Sequence, residues 1–345
     1  MIKADCRKYI LEFKQASGTS RGILKTKETW FILLEKEGKK GIGECGLFRG
    51  LSIDDRLDYD TKIKWVCEHI NLGIEKLLAV TTEFPSIQFG LEQAFLSLNS
   101  KDPHLLFPSK FTESQKNIVI NGLIWMGDKA FMQKQIKNKL KEGFTTLKMK
   151  IGAIDFDTEI SLLKSIRSEF SKEEIELRVD ANGAFSPQNA LEKLKKLSNL
   201  ELHSIEQPIK QGQWQEMALL CSKTPLPIAL DEELIGIYSV DEKKKCIETI
   251  KPQFIILKPS LIGGIKGSNE WIKVASNYKI GNWMTSALES NVGLNAIAQW
   301  THSIGNPLPQ GLGTGGLFTN NFDSPLEVIQ GALHYNKDKK WNFNF

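Results

Sequence analysis

The sequence has few of the residues that form disulfides or bind zinc. Its 345 residues include five cysteines and five histidines, all scattered, with no CxxC pair and no HExxH motif. An odd number of scattered cysteines indicates reduced thiols, so we expect a cytoplasmic protein without a disulfide framework. Zinc hydrolase chemistry is disfavoured because the ligand spacings that it requires are missing.

Long apolar runs and a large excess of one charge are missing as well. The longest apolar runs, such as 30–34 and 254–257, are much shorter than a membrane-spanning helix requires. The first residues lack the apolar segment and the cleavage site of a secretory signal. The net charge of +4 gives weak support for binding nucleic acid or a membrane. We therefore expect a small-molecule partner and no nucleic acid or membrane, and the oligomeric state stays open.

The first hundred or so residues mix strand and helix signals. The predicted elements are strands at 28–35 and 42–45, joined by a glycine-containing turn, and helices at 56–80 and 86–99. Proline-containing breaks at 101–104 and 107–109 follow the second helix. We place a domain boundary near residues 105–116.

After this boundary the chain alternates between short apolar strands and amphipathic helices. Strands are predicted at 118–120, 145–151, 175–180, 202–206, 227–231, 254–258 and 282–286. Polar residues near successive strand ends recur every 25 to 30 residues from Lys150 onward. Such a repeat predicts a parallel α/β sheet, and an eighth strand near Pro309–Leu312 would close it into a barrel. A doubly wound open sheet is the alternative.

The run Gly311–Gly316 matches the GxGxxG pattern of dinucleotide-binding proteins. That pattern requires a following helix, a further strand and an acid about 20 residues on, and only 29 residues remain after Gly316. We expect the glycines instead to offer backbone N–H groups to an anionic substrate.

Three acids fall at the ends of successive strands: Asp180, Glu206 and Asp231. In a barrel these ends meet at one mouth, where three carboxylates would repel one another unless a cation lay between them. Oxygen ligands without His or Cys suit Mg²⁺. For any single acid, a helix cap or a solvated loop residue is the simpler interpretation, but three at matching depth favour a metal site.

Lysines lie on the same strand ends. Alternation along the strand 145–151 places Lys148 and Lys150 on the barrel interior, where two close cations lower each other's pKa and favour a neutral amine able to act as a base. Lys258 ends a later apolar strand, on the far side of the predicted barrel. A carbon acid bound to the metal would present its α-proton to a lysine, and the metal would stabilise the enediolate.

Five short motifs together resemble the muconate-lactonizing subgroup of the enolase superfamily. They are KMK at 148–150, VDAN at 179–182, IEQP at 205–208, LDEE at 230–233 and LKPS at 257–260. The resemblance covers nearly the whole chain. It implies a modified TIM-type (β/α) barrel over 111–319 and an α+β capping domain over 1–110, completed by the tail 320–345.

The resemblance also implies a role for each residue. Asp180, Glu206 and Asp231 match the Mg²⁺ ligands, with Mn²⁺ as an alternative ion. Lys150 matches the general base, and Lys258 matches the lysine on the opposite face. Lys148 matches the residue that lowers the pKa of this base and holds the substrate carboxylate.

Within the subgroup, the segments 286–291 and 311–318 are most similar to the branch that removes water from a cyclohexadiene carboxylate in menaquinone biosynthesis. Ser286, Gly313 and Thr314 are the substrate-binding residues that this similarity implies. N-acylamino acid racemases and dipeptide epimerases are the alternatives, although the Asp-x-Asp pair typical of the epimerases is missing between 305 and 321.

Two features of the chain extend this hypothesis. Loops at 17–22 and 47–51 are expected to set specificity, with Arg21 and Arg49 as candidate contacts for a substrate carboxylate, although solvated arginines are an equally good interpretation. Glu232 and Glu233 follow Asp231, where we expect a single acid, and either pairing with a lysine or exposure to solvent would explain them.

Overall fold

The computed structural model describes residues 1–19 and 22–343. Its N-terminal part is an antiparallel sheet of three strands, β1 (Lys3–Thr19), β2 (Gly22–Lys36) and β3 (Lys39–Cys45). The turn between β2 and β3 is formed by Glu37 and Gly38, both with positive φ. This is the backbone that a two-residue hairpin requires, and it confirms the predicted turn.

Three helices cover one face of this sheet: α1 (Tyr59–Glu68), α2 (Ile74–Val80) and α3 (Pro85–Asn99). The single helix predicted at 56–80 is wrong, because a 3₁₀ turn and Gly73, with φ 84°, separate α1 from α2. Helix α3 carries the predicted apolar stripe and packs closely on β3, where Gly43 and Gly90 leave no room for a Cβ atom.

A short strand, β4 (Ile118–Val119), leads into a parallel sheet of seven strands that lie in chain order. These strands are β5 (Gly122–Ile124), β6 (Thr146–Lys150), β7 (Glu176–Asp180), β8 (Ser204–Glu206), β9 (Ile228–Leu230), β10 (Phe254–Leu257) and β11 (Gly281–Met284). The intervening helices are α4 (Lys129–Lys141), α5 (Phe156–Arg167), α6 (Pro187–Ser198), α7 (Trp214–Lys223), α8 (Val240–Ile250) and α9 (Gly264–Asn277), and α10 (Asn291–Ile304) follows β11. The predicted strand–helix repeat is confirmed.

The sheet closes on itself through Gln310 and Gly311. The Gly311 N–H donates to the carbonyl of Met284 at 2.8 Å, and the Asn121 N–H donates to the carbonyl of Gln310 at 2.9 Å. The buried Gln310 side chain also accepts a bond from the Met284 N–H at 2.7 Å. This segment acts as the eighth strand, where the sequence places it, so the barrel interpretation holds against the open sheet.

The first predicted barrel strand, 118–120, is corrected by four residues, since the observed strand β5 is Gly122–Ile124. Strand β4 pairs antiparallel with a C-terminal hairpin, β12 (Leu326–Ile329) and β13 (Ala332–Tyr335), and the barrel strand proper begins at Gly122. Phe322, just before the hairpin, packs on the N-terminal sheet against Phe31 and Ile42. The division of the chain at 110/111 and 319/320 stays a prediction.

None of the helices in the described part of the chain has the length and hydropathy needed to cross a membrane.

Candidate active site

The three predicted acids lie side by side at the mouth of the barrel. Asp180 ends β7, Glu206 ends β8 and pairs in register with Asp180, and Asp231 directly follows β9. Each side chain is at most 2% exposed. Their common depth follows from the parallel register, so the predicted convergence of these residues is confirmed.

Strand β6 brings two lysines to these acids. Lys148 Nζ donates to Glu206 Oε2 at 2.6 Å and to Asp180 Oδ2 at 3.2 Å, and Lys150 Nζ donates to the same Asp180 oxygen at 2.9 Å. The apolar residues that alternate with them, Leu147 and Met149, are buried in the core behind the strand. The alternation therefore directs both lysines inward, as predicted.

Lys258 approaches from the other side of the mouth. It follows β10, donates to Asp231 Oδ2, and lies 3.9 Å from Glu206 Oε1. Three lysines and three carboxylates thus form one continuous chain of ion pairs, which we call the lysine–carboxylate chain: Lys150, Asp180, Lys148, Glu206, Lys258 and Asp231. With every member ionised the six charges cancel.

The expectation that the two lysines of β6 lower each other's pKa is wrong for Lys148. Burial alone would lower the pKa of Lys148, but the facing carboxylates of Glu206 and Asp180 outweigh it and raise the pKa above its ordinary value. The pKa of Lys258 is also raised, since Asp231 and Glu206 outweigh its burial. Opposite charges are closer to these ammonium groups than like charges, and proximity decides the direction.

The three carboxylates are unequal. Burial would raise the pKa of Asp180, but Lys150 and Lys148 hold it well below its usual value. Against burial, Lys258 lowers the pKa of Asp231. Burial and the negative charge of Asp180 raise the pKa of Glu206 well above its ordinary value, although Lys148 opposes them. Glu206 is therefore the carboxylate that takes up a proton most readily.

The carboxylates suit a hard divalent cation. In the described ranges, 1–19 and 22–343, no three Asp, Glu, His or Cys side chains already stand as a ready metal-binding group. The ammonium groups lie between the carboxylates instead. Glu206 Oε1 is buried without a hydrogen-bond partner in the described residues, so one oxygen of the set has unused capacity. Three buried carboxylates with an unused oxygen are the donors that Mg²⁺ or Mn²⁺ prefers.

Two residues that the sequence analysis did not single out orient this chain. Asn182, with φ 43°, accepts a bond from Lys150 Nζ at 2.8 Å and donates to Glu232 Oε1 at 3.0 Å. The buried Gln207, with φ 37°, accepts bonds from the backbone N–H groups of Asp231 and Glu233. An amide residue one or two positions after a strand-end acid, Gln207 in IEQP and Asn182 in VDAN, is the sequence signal that could have identified them.

The side chains of Glu232 and Glu233, the two extra acids after Asp231, point in different directions. Glu232 lines the cavity and holds Asn182. Glu233 turns away and accepts bonds from the Gly212 N–H at 2.7 Å and from Gln207 Nε2 at 3.1 Å. Burial raises the pKa of Glu233. Both side chains are buried, so the interpretation of simple solvent exposure is wrong.

A cavity of about 310 Å³ opens above the chain. Its lining includes the four predicted substrate-binding residues together with the other two lysines and Asp180: Lys148, Ser286, Gly313, Thr314, Lys150, Lys258 and Asp180. The segment 311–316 contributes backbone to the cavity wall. The next regular element after this segment is the strand β12, whereas a dinucleotide-binding fingerprint is followed by a helix. The volume suits one small molecule.

The N-terminal domain supplies the cavity roof through Phe48 and Leu51. Arg49, between them, points elsewhere: its guanidinium is paired with Glu28 Oε2 at 2.7 Å and with Asp55 Oδ1 at 2.6 Å. The hypothesis that Arg49 contacts a substrate carboxylate finds no support in this geometry. Arg21 lies outside the described residues.

Comparison with known proteins agrees with this architecture. Residues 132–339 match the family described as Enolase C-terminal domain-like. The chain therefore belongs to the enolase superfamily, and the predicted resemblance is confirmed.

Individual proteins of known name are similar to this chain over nearly its whole length. The chain is 48% identical over 358 aligned positions to the o-succinylbenzoate synthase of Desulfotalea psychrophila, covering 95% of this chain and 97% of the relative. It superposes on the crystal structure of MenC from the same organism with a TM-score of 0.86 and 44% identity, covering 96% and 99% of the two chains. A dipeptide epimerase of Enterococcus faecalis, solved with Mg and L-Leu-L-Tyr, has a TM-score of 0.84 at 19% identity, covering 96% of each chain. This last likeness establishes the shared fold alone.

Proposed function

We propose that this protein catalyses the o-succinylbenzoate synthase reaction, the syn-dehydration of 2-succinyl-6-hydroxy-2,4-cyclohexadiene-1-carboxylate to 2-succinylbenzoate. The observation that carries the proposal is the lysine–carboxylate chain in the cavity, in a protein 48% identical over nearly its full length to a synthase of that name. The enzyme is thus a carbon–oxygen lyase of menaquinone biosynthesis that works in the cytoplasm.

Lys150 is the general base. Its neutral amine takes the α-proton of the substrate, the ring C–O bond breaks, and the same nitrogen returns the proton to the departing hydroxyl, which leaves as water. The product ring becomes aromatic, which makes the elimination favourable. Asn182, which bonds Lys150 Nζ at 2.8 Å, keeps the amine directed into the cavity.

Lys258 remains protonated and faces the ring as a cation. Its raised pKa, set by Asp231 and Glu206 against burial, supports this role. Negative charge that develops on the substrate carboxylate is stabilised by this ammonium group, whose side chain is 12% exposed. Lys148 holds the substrate carboxylate, and Ser286, Gly313 and Thr314 hold the remainder of the substrate.

Asp180, Glu206 and Asp231 would hold a divalent metal ion, Mg²⁺ by preference with Mn²⁺ as the alternative. When bound, the ion supplies positive charge for the substrate carboxylate. The protein contributes three buried carboxylates whose present partners are flexible lysine side chains.

The test is loss of diene absorbance on incubation with the cyclohexadiene substrate and Mg²⁺. We expect turnover by the wild type and none with a chelator or in Lys150→Ala. Lys196→Ala, which removes an exposed lysine paired with Glu192 on the surface, is the matched control and keeps full activity. A folded, Mg²⁺-binding wild type without turnover would refute the proposal.

Racemisation of N-acylamino acids or epimerisation of dipeptides begins with the same proton removal and is the alternative function. The glycine-containing wall at 311–316 offers no carboxylate for a substrate ammonium group. In deuterated water, a racemase or epimerase would place deuterium at the α-carbon of such substrates. We expect the synthase reaction to exceed any such exchange.

A further inference from the structure

A second buried acidic cluster lies where the N-terminal sheet meets the barrel, separate from the lysine–carboxylate chain. At its centre is Glu289, between β11 and α10, whose side chain is fully buried. Glu289 Oε2 accepts a hydrogen bond from Ser286 Oγ at 2.5 Å, and Glu289 Oε1 accepts one from Ser260 Oγ. One carboxylate thus joins two serines from different loops.

Both serines belong to segments that reach the cavity. Ser260 lies in the 3₁₀ turn Pro259–Leu261 that directly follows Lys258. Ser286 lines the cavity itself. Glu289 therefore fixes the separation between the turn that carries Lys258 and the loop that carries Ser286.

The N-terminal domain packs directly on this carboxylate. A Cβ atom at Gly46 would lie 3.0 Å from Glu289 Cγ, and one at Gly293 would lie 2.8 Å from it. Gly46 begins the loop that carries Phe48 and Leu51 into the cavity roof. Glu289 is consequently in contact with α10 and with the segments that carry Ser260, Ser286 and Gly46. The last three lead to cavity-lining residues, namely Lys258, Ser286, Phe48 and Leu51.

A buried lysine of the N-terminal sheet faces the same cluster. Lys27 is 6% exposed, and its Nζ has no hydrogen-bond partner in the described residues. Burial lowers the pKa of Lys27, and the charges of Glu44 and Glu289 oppose this effect. Glu44 is already bound by Thr29 Oγ1, Ser290 Oγ and the Gly293 N–H. Lys27 thus lies in the electrostatic field of both acids, and its Nζ makes no hydrogen bond to either of them in the described residues.

We infer that Glu289 is a positioning residue of the active site: it holds Ser286 and the Lys258 turn in place beneath the roof loop 46–51, with the charge of Lys27 balancing its own. The inference rests on the proposed function for its kinetic readout. Glu289 does not line the cavity and acts through its neighbours.

The experiment compares Glu289→Gln with Glu92→Gln. In the first variant one of the two carboxylate oxygens becomes an NH₂ group, which cannot accept the serine hydroxyl bond that this oxygen accepts in the wild type. Glu92 is the matched control, since it joins the same two domains by accepting bonds from the Ile265 and Lys266 N–H groups, remote from the cavity. We expect Glu289→Gln to lower kcat/KM by about 10- to 100-fold and Glu92→Gln to change it less than twofold.

Non-additivity separates positioning from general destabilisation. In a Ser260→Ala/Ser286→Ala background, Glu289→Gln should lower kcat/KM by less than threefold, because its bonding partners are already gone. Lys27→Met should lower kcat/KM in the wild type and have no further effect in Glu289→Gln. If the substitutions act independently, so that their separate effects on kcat/KM multiply, the inference is overturned. An unchanged kcat/KM in Glu289→Gln would overturn it as well.

Hydrogen exchange tests the same idea without turnover. In Glu289→Gln, amides of 46–52, 259–262 and 286–290 should exchange faster than in the wild type, whereas Glu92→Gln should affect only the start of α9. If the wild type does not dehydrate the substrate but these loops loosen, the proposed function fails and the inference stands. Unchanged exchange in all three segments contradicts the inference itself.

Discussion

The barrel mouth and the interface between the domains both bury carboxylates, but they satisfy them differently. At the mouth, Asp180, Glu206 and Asp231 are held mainly by lysine ammonium groups. At the interface, Glu44 and Glu289 are held by hydroxyl and backbone N–H donors in fixed positions. An ammonium group on a flexible stem can be exchanged for a metal ion, whereas a backbone donor cannot. We therefore expect the carboxylates at the mouth to change partners when a metal ion binds and those at the interface to keep them.

The largest effect that tests this comparison is expected from Lys258→Met. It leaves Asp231 buried without its cation, so we expect turnover to fall by about 10³-fold and the metal-free protein to lose about 3–5 kcal/mol of unfolding free energy. Mg²⁺ should restore much of the stability, because an ion can replace the lysine charge. Thermal unfolding with and without Mg²⁺ measures this.

Lys243→Met is the control for that variant. The Lys243 side chain is 2% exposed, against 12% for Lys258, and it is paired with Glu270 at 2.6 Å, away from the cavity. The Lys243→Met variant should also lose stability. Mg²⁺ should stabilise this variant no more than it stabilises the wild type. Equal rescue of both variants would show that lysine and metal are not interchangeable at the mouth.

Glu206→Gln should weaken metal binding. It removes the carboxylate that lies 2.6 Å from Lys148 Nζ and leaves this buried ammonium group with Asp180 at 3.2 Å, so the metal-free protein should lose about 3 kcal/mol of unfolding free energy. Calorimetric titration should show Mg²⁺ affinity reduced by about 100-fold. Glu233→Gln, which alters a neighbouring buried acid that does not touch the lysines, should retain the affinity.

At the interface, Glu92 makes stability depend on pH. Burial raises the pKa of Glu92 to about 7, although the Lys266 and Ile265 N–H groups and the charge of Lys266 oppose it and Glu270 adds to it. The folded state therefore binds a proton more tightly than the unfolded chain, whose glutamate has a pKa near 4.5. The Glu92 contribution is full below about pH 4.5 and is lost as the pH rises to about 7.

Glu92→Gln should accordingly flatten the dependence of unfolding free energy on pH over that window. Denaturant unfolding at half-unit pH steps provides the measurement. If the unfolding free energy of the variant still falls with pH in parallel with that of the wild type, another group is responsible for the pH dependence.

The smallest effect is expected from Arg49→Ala. Its two ion pairs are on the surface, with the Arg49 side chain 48% exposed, so the loss should be about 1 kcal/mol or less. KM should not change, because Arg49 points away from the cavity. A tenfold rise in KM would return Arg49 to the role of a substrate contact.

Sequence alone predicts the mouth better than the interface, for a physical reason. Strand alternation and the 25- to 30-residue repeat place Lys150, Asp180 and Glu206 before any contact is known, because parallel register fixes their depth. The interface depends on pairs such as Glu44 with Ser290, which are 246 residues apart and follow no period. The start of the barrel at Gly122 was missed because the pairing of Ile118 with the hairpin strand β13 has no local signal.

The closure of the barrel by Gln310 and Gly311 determines when, during synthesis, the barrel can be completed. Their partners at 119–121 and 284–286 are synthesised earlier, and the circle of strands stays open until the two residues leave the ribosome. During that interval the growing chain presents two unpaired sheet edges, at β5 and β11, of the kind that promote wrong associations. These two edges are covered only late in synthesis, when Gln310 and Gly311 pair with their neighbouring strands.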